Sequence, residues 1–214
     1  MTATVPTEVL AIRGGTPVRA TPFPARHLFG TDEKAAAMRV FDESMASGAA
    51  FGYNGPEEAA FEQEFAAFMG GGFADGVNSG TNAVFVALGA LQLPKGSEVI
   101  VSPITDPGGV MPVVMLNCIP VFADADPRTF NMDPAGFEAR ITPRTRAVVV
   151  AHIAGEPADM EAICGIARRH GIMVLEDCAQ AHAATLNGRK VGSFGDIAAF
   201  STMSGKHFAT GAQG

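Results

Sequence analysis

Lys206 stands in "FSTMSGKHFATGAQG", a segment of small and hydroxylic residues that follows the apolar run "DIAAF". Most lysines are solvated surface groups. A lysine at the end of a buried strand loses hydration, which favours its neutral amine and makes it a nucleophile able to form an imine. Asp177, in "VLEDCAQA", lies just past another apolar run. A carboxylate there must be paired or hydrogen-bonded, because burying a lone charge is costly. It can cap a helix, join a structural ion pair or oppose a cationic ring nitrogen. "NSGTNA", with Gly80, Thr81 and Asn82, reads as a tight turn opening a helix, whose free N–H groups and positive dipole end suit an anion. Neither GxxxxGK[ST] nor GxGxxG occurs, which disfavours a plain nucleotide-binding module. Taken alone, the turn is a capped helix start.

Periodicity shows what would hold these residues. Residues 1 to about 30 are rich in Pro, Gly and Thr and read as an extended arm. "TDEKAAAMRVFDESMAS" has helical spacing, with Thr31 as its N-cap. "GPEEAAFEQEFAAFMGGG" is a clearer helix, with Phe61, Phe65 and Phe68 on one face and Gly70 to Gly72 ending it. The pattern then alternates. "ADGVNSG" is expected to be a short strand, "TNAVFVALGALQL" a helix, and "SEVIVSP" and "IPVFADA" buried strands. "DPAGFEARI" is a helix capped by Asp133, "TRAVVVAHI" a strand, "ADMEAICGIARRHG" a helix, "IMVLED" a strand, and "GDIAAFS" the last strand before Lys206. Apolar strands separated by helices predict a mostly parallel sheet covered on both faces, an α/β fold. In such sheets ligands gather at the carboxyl ends of the strands, where all three sites fall. An imine-forming lysine, a buried acid and a phosphate cradle are together the parts that pyridoxal 5'-phosphate needs.

Composition narrows the classes. The chain has 214 residues, 47% hydrophobic and 17% charged, with a formal charge of -7, so one sizeable core can be buried. The acidic balance, without a Lys/Arg run, argues against nucleic acid and against an anionic membrane surface as partners. No run reaches the roughly 18 apolar residues of a membrane helix, and the N-terminus has no signal-peptide core. A soluble, cytoplasmic protein is expected. Cys118, Cys164 and Cys178 form no CxxC pair and read as reduced, buried thiols. His27, His170 and His182 show no metal-ligand spacing, His152 reads as structural or pocket-edge, and no metal is expected.

The chain resembles the DegT/DnrJ/EryC1/StrS family of pyridoxal-phosphate-dependent sugar aminotransferases, of fold type I. The likeness runs from about Leu10 to Gly214, through "LAIRGGTPVR", "YNGPEEAAFEQEFAAFMG", "VNSGTNAVFVAL", "PVFADADPRTFNMDP", "ITPRTRAVVVAHIAGEPADM", "HGIMVLEDCAQAHAA" and "VGSFGDIAAFSTMSGKHFATGAQG". It implies a fold type I large domain over residues 31–214, a three-layer α/β/α sandwich, preceded by the arm of residues 1–30. It implies that Lys206 is the catalytic, imine-forming lysine and that Asp177 faces the pyridine nitrogen. Gln180 then lies near the ring and its hydroxyl, while Ser201 binds the phosphate together with Gly80, Thr81 and Asn82. The implied reaction moves an amino group from glutamate or glutamine to a keto group of a nucleotide sugar or cyclitol, in a homodimer. Some relatives carry histidine in place of the lysine and act as sugar dehydratases; Lys206 favours transamination.

Two departures from the family pattern stand out. Asp106, in "SPITDPGG", occupies the position where many relatives place an aromatic residue that stacks on the cofactor ring. Either another side chain covers the ring or the pocket differs. Family chains also continue past the lysine loop into a C-terminal small domain. This sequence is therefore expected to be the N-terminal part of such an enzyme, lacking the small domain. The alternatives are an incomplete, non-catalytic fragment and a related dehydratase.

Overall fold

Period-two alternation along the central strands divides the core of this protein into two layers. A computed structural model describes residues 9–25 and 29–211; His27, the rest of the expected arm and the last three residues lie outside the described residues. The chain forms two units, Met1–Ala49 and Ala50–Gly214. In the first, α1 (Thr31–Ser47) follows a single 3-10 turn at Ala11–Arg13. Thr31 is the first helical residue rather than the cap. Gly30 is the N-cap; it offers no side-chain acceptor to the first turn, and Glu33 Oε2 reaches back to accept the Gly30 N–H at 2.6 Å.

The second unit carries the sheet. It opens with α2 (Pro56–Met69), which has Glu57 and Glu58 in its first turn, against the positive dipole end, and ends at Gly70 with φ of 101°. Then follow α3 (Gly80–Ala90), β1 (Glu98–Val101), α4 (Met111–Met115), β2 (Ile119–Phe122), α5 (Pro134–Ala139) and β3 (Thr145–Ala151). α6 (Met160–His170), β4 (Met173–Asp177), β5 (Thr185–Leu186), β6 (Arg189–Lys190) and β7 (Ile197–Ala199) complete the order. Asp133 caps α5 as expected, accepting the Gly136 N–H at 2.9 Å.

Five strands form one parallel sheet in the order β2-β1-β3-β4-β7. Val99, Val101, Ala147, Val149, Leu175 and Ala199 pack on one side with Val84, Leu88 and Val113 of α3 and α4. Ile100, Val148, Val150 and Val174 pack on the other with Phe137, Met160, Ile163 and Ile166 of α5 and α6. This is the α/β/α sandwich of the fold type I large domain. Phe137, fully buried, fills the second layer. Phe137→Ala is expected to lower stability by about 3–5 kcal/mol, read from denaturant unfolding.

Two local features differ from the periodicity reading. Residues 74–79 are not a strand: the Gly76 N–H is taken by Glu62 Oε1 of α2 at 2.7 Å instead of by a sheet neighbour. A short β5–β6 hairpin was not foreseen. Its turn is Asn187-Gly188, with φ of 52° and 79°, the Asn-Gly pair that suits a two-residue hairpin.

Candidate active site

Alternation also aims the acids of β4. Counting from Leu175, which faces α3, the next residue on that side is Asp177, while Val174 and Glu176 face α6. Asp177 is 8% exposed. Its Oδ1 accepts the Ala179 N–H at 3.1 Å. A Cβ on Gly109 would lie 3.2 Å from its Oδ2, so a glycine lets this backbone close over the carboxylate. Burial pushes the Asp177 carboxyl above its usual range; the Ala179 N–H and the Lys206 charge pull it back, and Asp106 adds to the rise.

The turn before α3 meets the segment after β7. Ser79 caps α3, its Oγ accepting the Asn82 N–H at 3.1 Å. A Cβ on Gly80 would stand 2.5 Å from Ser201 Cβ and 2.9 Å from its Oγ, so only glycine allows this approach. A cleft of about 180 Å³ opens beside it, lined by Gly80, Thr81, Asp106, Asp177, Ser201 and Lys206 among others. Among the described residues no aromatic side chain lines it; Val84 and Met203 are its larger apolar members. Asp106 instead caps a short turn at Pro107–Gly109, its Oδ1 accepting the Gly108 N–H at 2.9 Å.

Lys206 is half-buried and sits on a closed loop. Its N–H donates to Met203 O at 2.8 Å, and the loop is tied by Thr210 N–H to Thr202 O at 2.9 Å and by the two threonine hydroxyls at 2.8 Å. The aromatic face of α2 supports this loop. Phe61 stacks on Phe208 with centroids 6.1 Å apart, and Phe65 meets Phe200 edge-on at 5.0 Å.

Five of the seven expected site residues thus meet at one cleft: Gly80, Thr81, Asp177, Ser201 and Lys206. Asn82 and Gln180 are not among its lining residues. The Asn82 side chain donates to Asn78 Oδ1 at 2.5 Å, and Gln180 Oε1 accepts the Ala154 N–H at 3.0 Å. Ser79, Gly108 and Gly109 were not singled out, although a serine before Gly80 and a glycine pair after Asp106 were there to be read. A second cleft, of about 300 Å³ and bounded by Leu88, Val99, Val113 and Cys118, holds none of the expected residues. The three cysteines are free thiols. No helix among the described residues is long and apolar enough to cross a membrane.

The chain is similar to known proteins. The model of the DegT/DnrJ/EryC1/StrS aminotransferase family matches residues 31–214. The spore coat polysaccharide biosynthesis protein SpsC of Bacillus subtilis is 47% identical over 160 residues, 75% of this chain and 41% of that protein. An L-glutamine:2-deoxy-scyllo-inosose aminotransferase of Streptoalloteichus tenebrarius is 40% identical over 210 residues, 96% of this chain and 49% of that protein. The chain spans about half the length of the curated relatives it matches. An aminotransferase from Psychrobacter cryohalolentis superposes with a TM-score of 0.81 at 39% identity, covering 90% of this chain and 47% of that one. Solved neighbours include proteins with PMP or hydrated PLP bound.

Proposed function

This chain belongs to the DegT/DnrJ/EryC1/StrS aminotransferase family, and from that premise we propose that it binds pyridoxal 5'-phosphate through Lys206 and serves amino transfer. The acceptor is a keto group on a cyclitol or nucleotide sugar, and the donor is glutamine or glutamate. The observation that carries the reading is the convergence of Lys206, Asp177, Ser201 and the α3 N-terminus on one cleft.

The residues fit the cofactor at both ends. The capped start of α3 and the Ser201 hydroxyl, brought together by Gly80, suit a phosphate. Asp177 suits the ring nitrogen, because its buried carboxyl is held above the usual range despite Lys206 and so lacks cationic charge that a protonated pyridine would supply. When bound, pyridoxal phosphate supplies an aldehyde carbon for amines and a ring that takes up an electron pair. Lys206 Nζ would hold the cofactor and, once free of it, would take up and return a proton. Asp177 would hold a proton on the ring nitrogen. Ser201 and Thr81 hold the phosphate and so fix the angle at which Lys206 works.

The test is direct. The 214-residue chain is loaded with pyridoxal phosphate, given glutamine and 2-deoxy-scyllo-inosose or a keto nucleotide sugar, and the products are read by mass spectrometry. An aminated product is expected from one acceptor class. Cofactor binding with loss of a hydroxyl and no amine gained would point to dehydration instead. The phosphate end has its own prediction. Gly80→Ala forces Ser201 aside, so cofactor affinity should fall roughly tenfold or more, as an overpacked contact costing about 1–3 kcal/mol implies. Titration of the visible absorbance checks this.

A further inference from the structure

Glu176 is the neighbour of Asp177 on β4, faces the opposite side and has no part in the cleft. It is fully buried. Its Oε1 accepts the N–H groups of Phe194 and Gly195, both at 2.7 Å. Its Oε2 accepts the Gly192 N–H at 2.8 Å and meets His152 Nε2 at 3.2 Å. His152 Nδ1 accepts the Ala158 N–H at 3.1 Å, which assigns the ring proton to Nε2 and makes it a donor to Glu176. Burial alone would raise the Glu176 carboxyl, but His152 and the amides of Gly195 and Gly192 outweigh it and hold the group below its usual range. Cys178 brings a third metal-ligating side chain within 4.8 Å of this pair. The carboxylate is already filled by four donors, its full accepting capacity, so the group reads as a closed hydrogen-bond hub.

The turn that Glu176 holds leads into the site. Gly192 and Gly195 cannot carry side chains: a Cβ on the first would lie 2.6 Å from Phe200 Cζ, and on the second 2.6 Å from Val174 O. After this turn β7 pairs with β4 through three residues, Leu175↔Ile197, Glu176↔Ala198 and Asp177↔Ala199. It then delivers Ser201 and Lys206. So short a ladder at the end of the described sheet is weakly held in place by its own hydrogen bonds.

We propose that Glu176 is a positioning residue: its carboxylate seats the Gly192–Gly195 turn and, through β7, sets Ser201 and Lys206 opposite Asp177. What Ser201 and Lys206 then do rests on the cofactor reading above; the positioning itself does not. Charge and acceptor count make the residue type specific. Glutamine has the same volume, but its amide would present N–H groups to the Gly192 N–H and the His152 proton.

The experiment compares Glu176→Gln with the wild type and with Ile166→Val, a core change on α6 that lowers stability and leaves Glu176 and its four donors in place. Amide exchange of the cofactor-free chain is followed by NMR at Gly192, at Cys178, whose N–H donates to Ala199 O, and at Lys206. In Glu176→Gln these three amides should exchange roughly ten- to hundredfold faster, as one buried unsatisfied donor implies. Pyridoxal phosphate affinity should fall with them, and the pH midpoint of its visible band should move. Ile166→Val should leave all of these unchanged. Faster exchange confined to Gly192, or the same pattern in both variants, overturns the proposal. If the wild type takes up no pyridoxal phosphate while Cys178 and Lys206 still respond to Glu176→Gln, the cofactor reading fails and the positioning stands. Should Glu176→Gln not fold, native-state exchange of the wild type decides. Gly192, Phe194, Gly195 and Cys178 must then open as one cooperative unit, and separate openings overturn the proposal.

Discussion

Lys206→Ala is expected to abolish covalent capture of pyridoxal phosphate and to lower amino transfer by on the order of 10⁴-fold or more, the scale on which loss of a covalent catalyst is felt. Wild-type chain mixed with the cofactor should absorb in the visible, and borohydride should fix the label on the peptide containing Lys206. The variant should do neither, while its far-UV spectrum stays near wild type. That last expectation follows from the structure. Lys206 lies on a loop closed by backbone and threonine hydrogen bonds and by Phe208 on Phe61, and these contacts do not use the lysine side chain. Capture must also be specific to this position. Lys190 is spoken for, its Nζ bonded to Phe68 O and lying 3.8 Å from the centre of the Phe68 ring. Label that persists on Lys190 or another lysine in Lys206→Ala would remove Lys206 from the reaction.

Local rules decide the strands and helices, and distant segments decide the site. Apolar runs marked β1, β3, β4 and β7, because a strand covered on both faces leaves a nearly continuous hydrophobic stretch; "IPVFADA" marked β2 as well, but as a buried strand, whereas β2 ends the described sheet with Ile119 and Phe122 exposed. The Phe61, Phe65 and Phe68 stripe marked the aromatic face of α2, though not that Phe61 and Phe65 would support the lysine loop. Alternation aims Asp177 at the α3 side only once the fold has set Leu175 there. The necessity of Gly80 was not legible, because the atom that excludes a side chain belongs to Ser201, far along the chain. Residues 74–79 look like a strand in composition, but Glu62 claims the Gly76 N–H that a strand would share. Nothing in the sequence marked Glu176, because its four donors come from segments that only folding brings together. Asn82 was part of the turn read from the sequence and Gln180 came with the family resemblance, and the structure gives each side chain a partner outside the cleft lining.

Asp177→Asn should separate stability from function. The Asp177 carboxyl is raised in the fold, with burial as the largest cause and Asp106 adding to it, while the Ala179 N–H, Lys206 and His152 oppose the rise. A folded pKa above the unfolded one means that ionisation costs free energy in the native state. The stability linked to the protonated form is fully present below the ordinary aspartate range and is lost as pH rises through the folded value. Asparagine cannot ionise, and its Oδ1 can still accept the Ala179 N–H. The cofactor-free variant should therefore be more stable than wild type at neutral pH, with Tm higher by roughly 2–4 °C for each kcal/mol of buried-charge cost removed. The advantage should shrink as pH falls through the raised folded value, where the wild-type carboxyl takes up its proton, and be gone below the ordinary aspartate range. Function should move the opposite way. An amide cannot hold a proton on the ring nitrogen as a carboxylate does, and amino transfer should fall by on the order of 10²–10³-fold, as for loss of one aimed electrostatic group. Thermal unfolding between about pH 4 and 8, together with single-turnover rates on glutamine, gives both numbers. A variant less stable at neutral pH would mean that Lys206 and the local hydrogen bonds, not burial, govern Asp177. A variant with the wild-type rate would mean that Asp177 does not face the ring nitrogen. The result expected here is the compromise of a buried acid kept for chemistry: the cofactor-free fold tolerates it at a cost, and a cationic ring offsets that cost on binding.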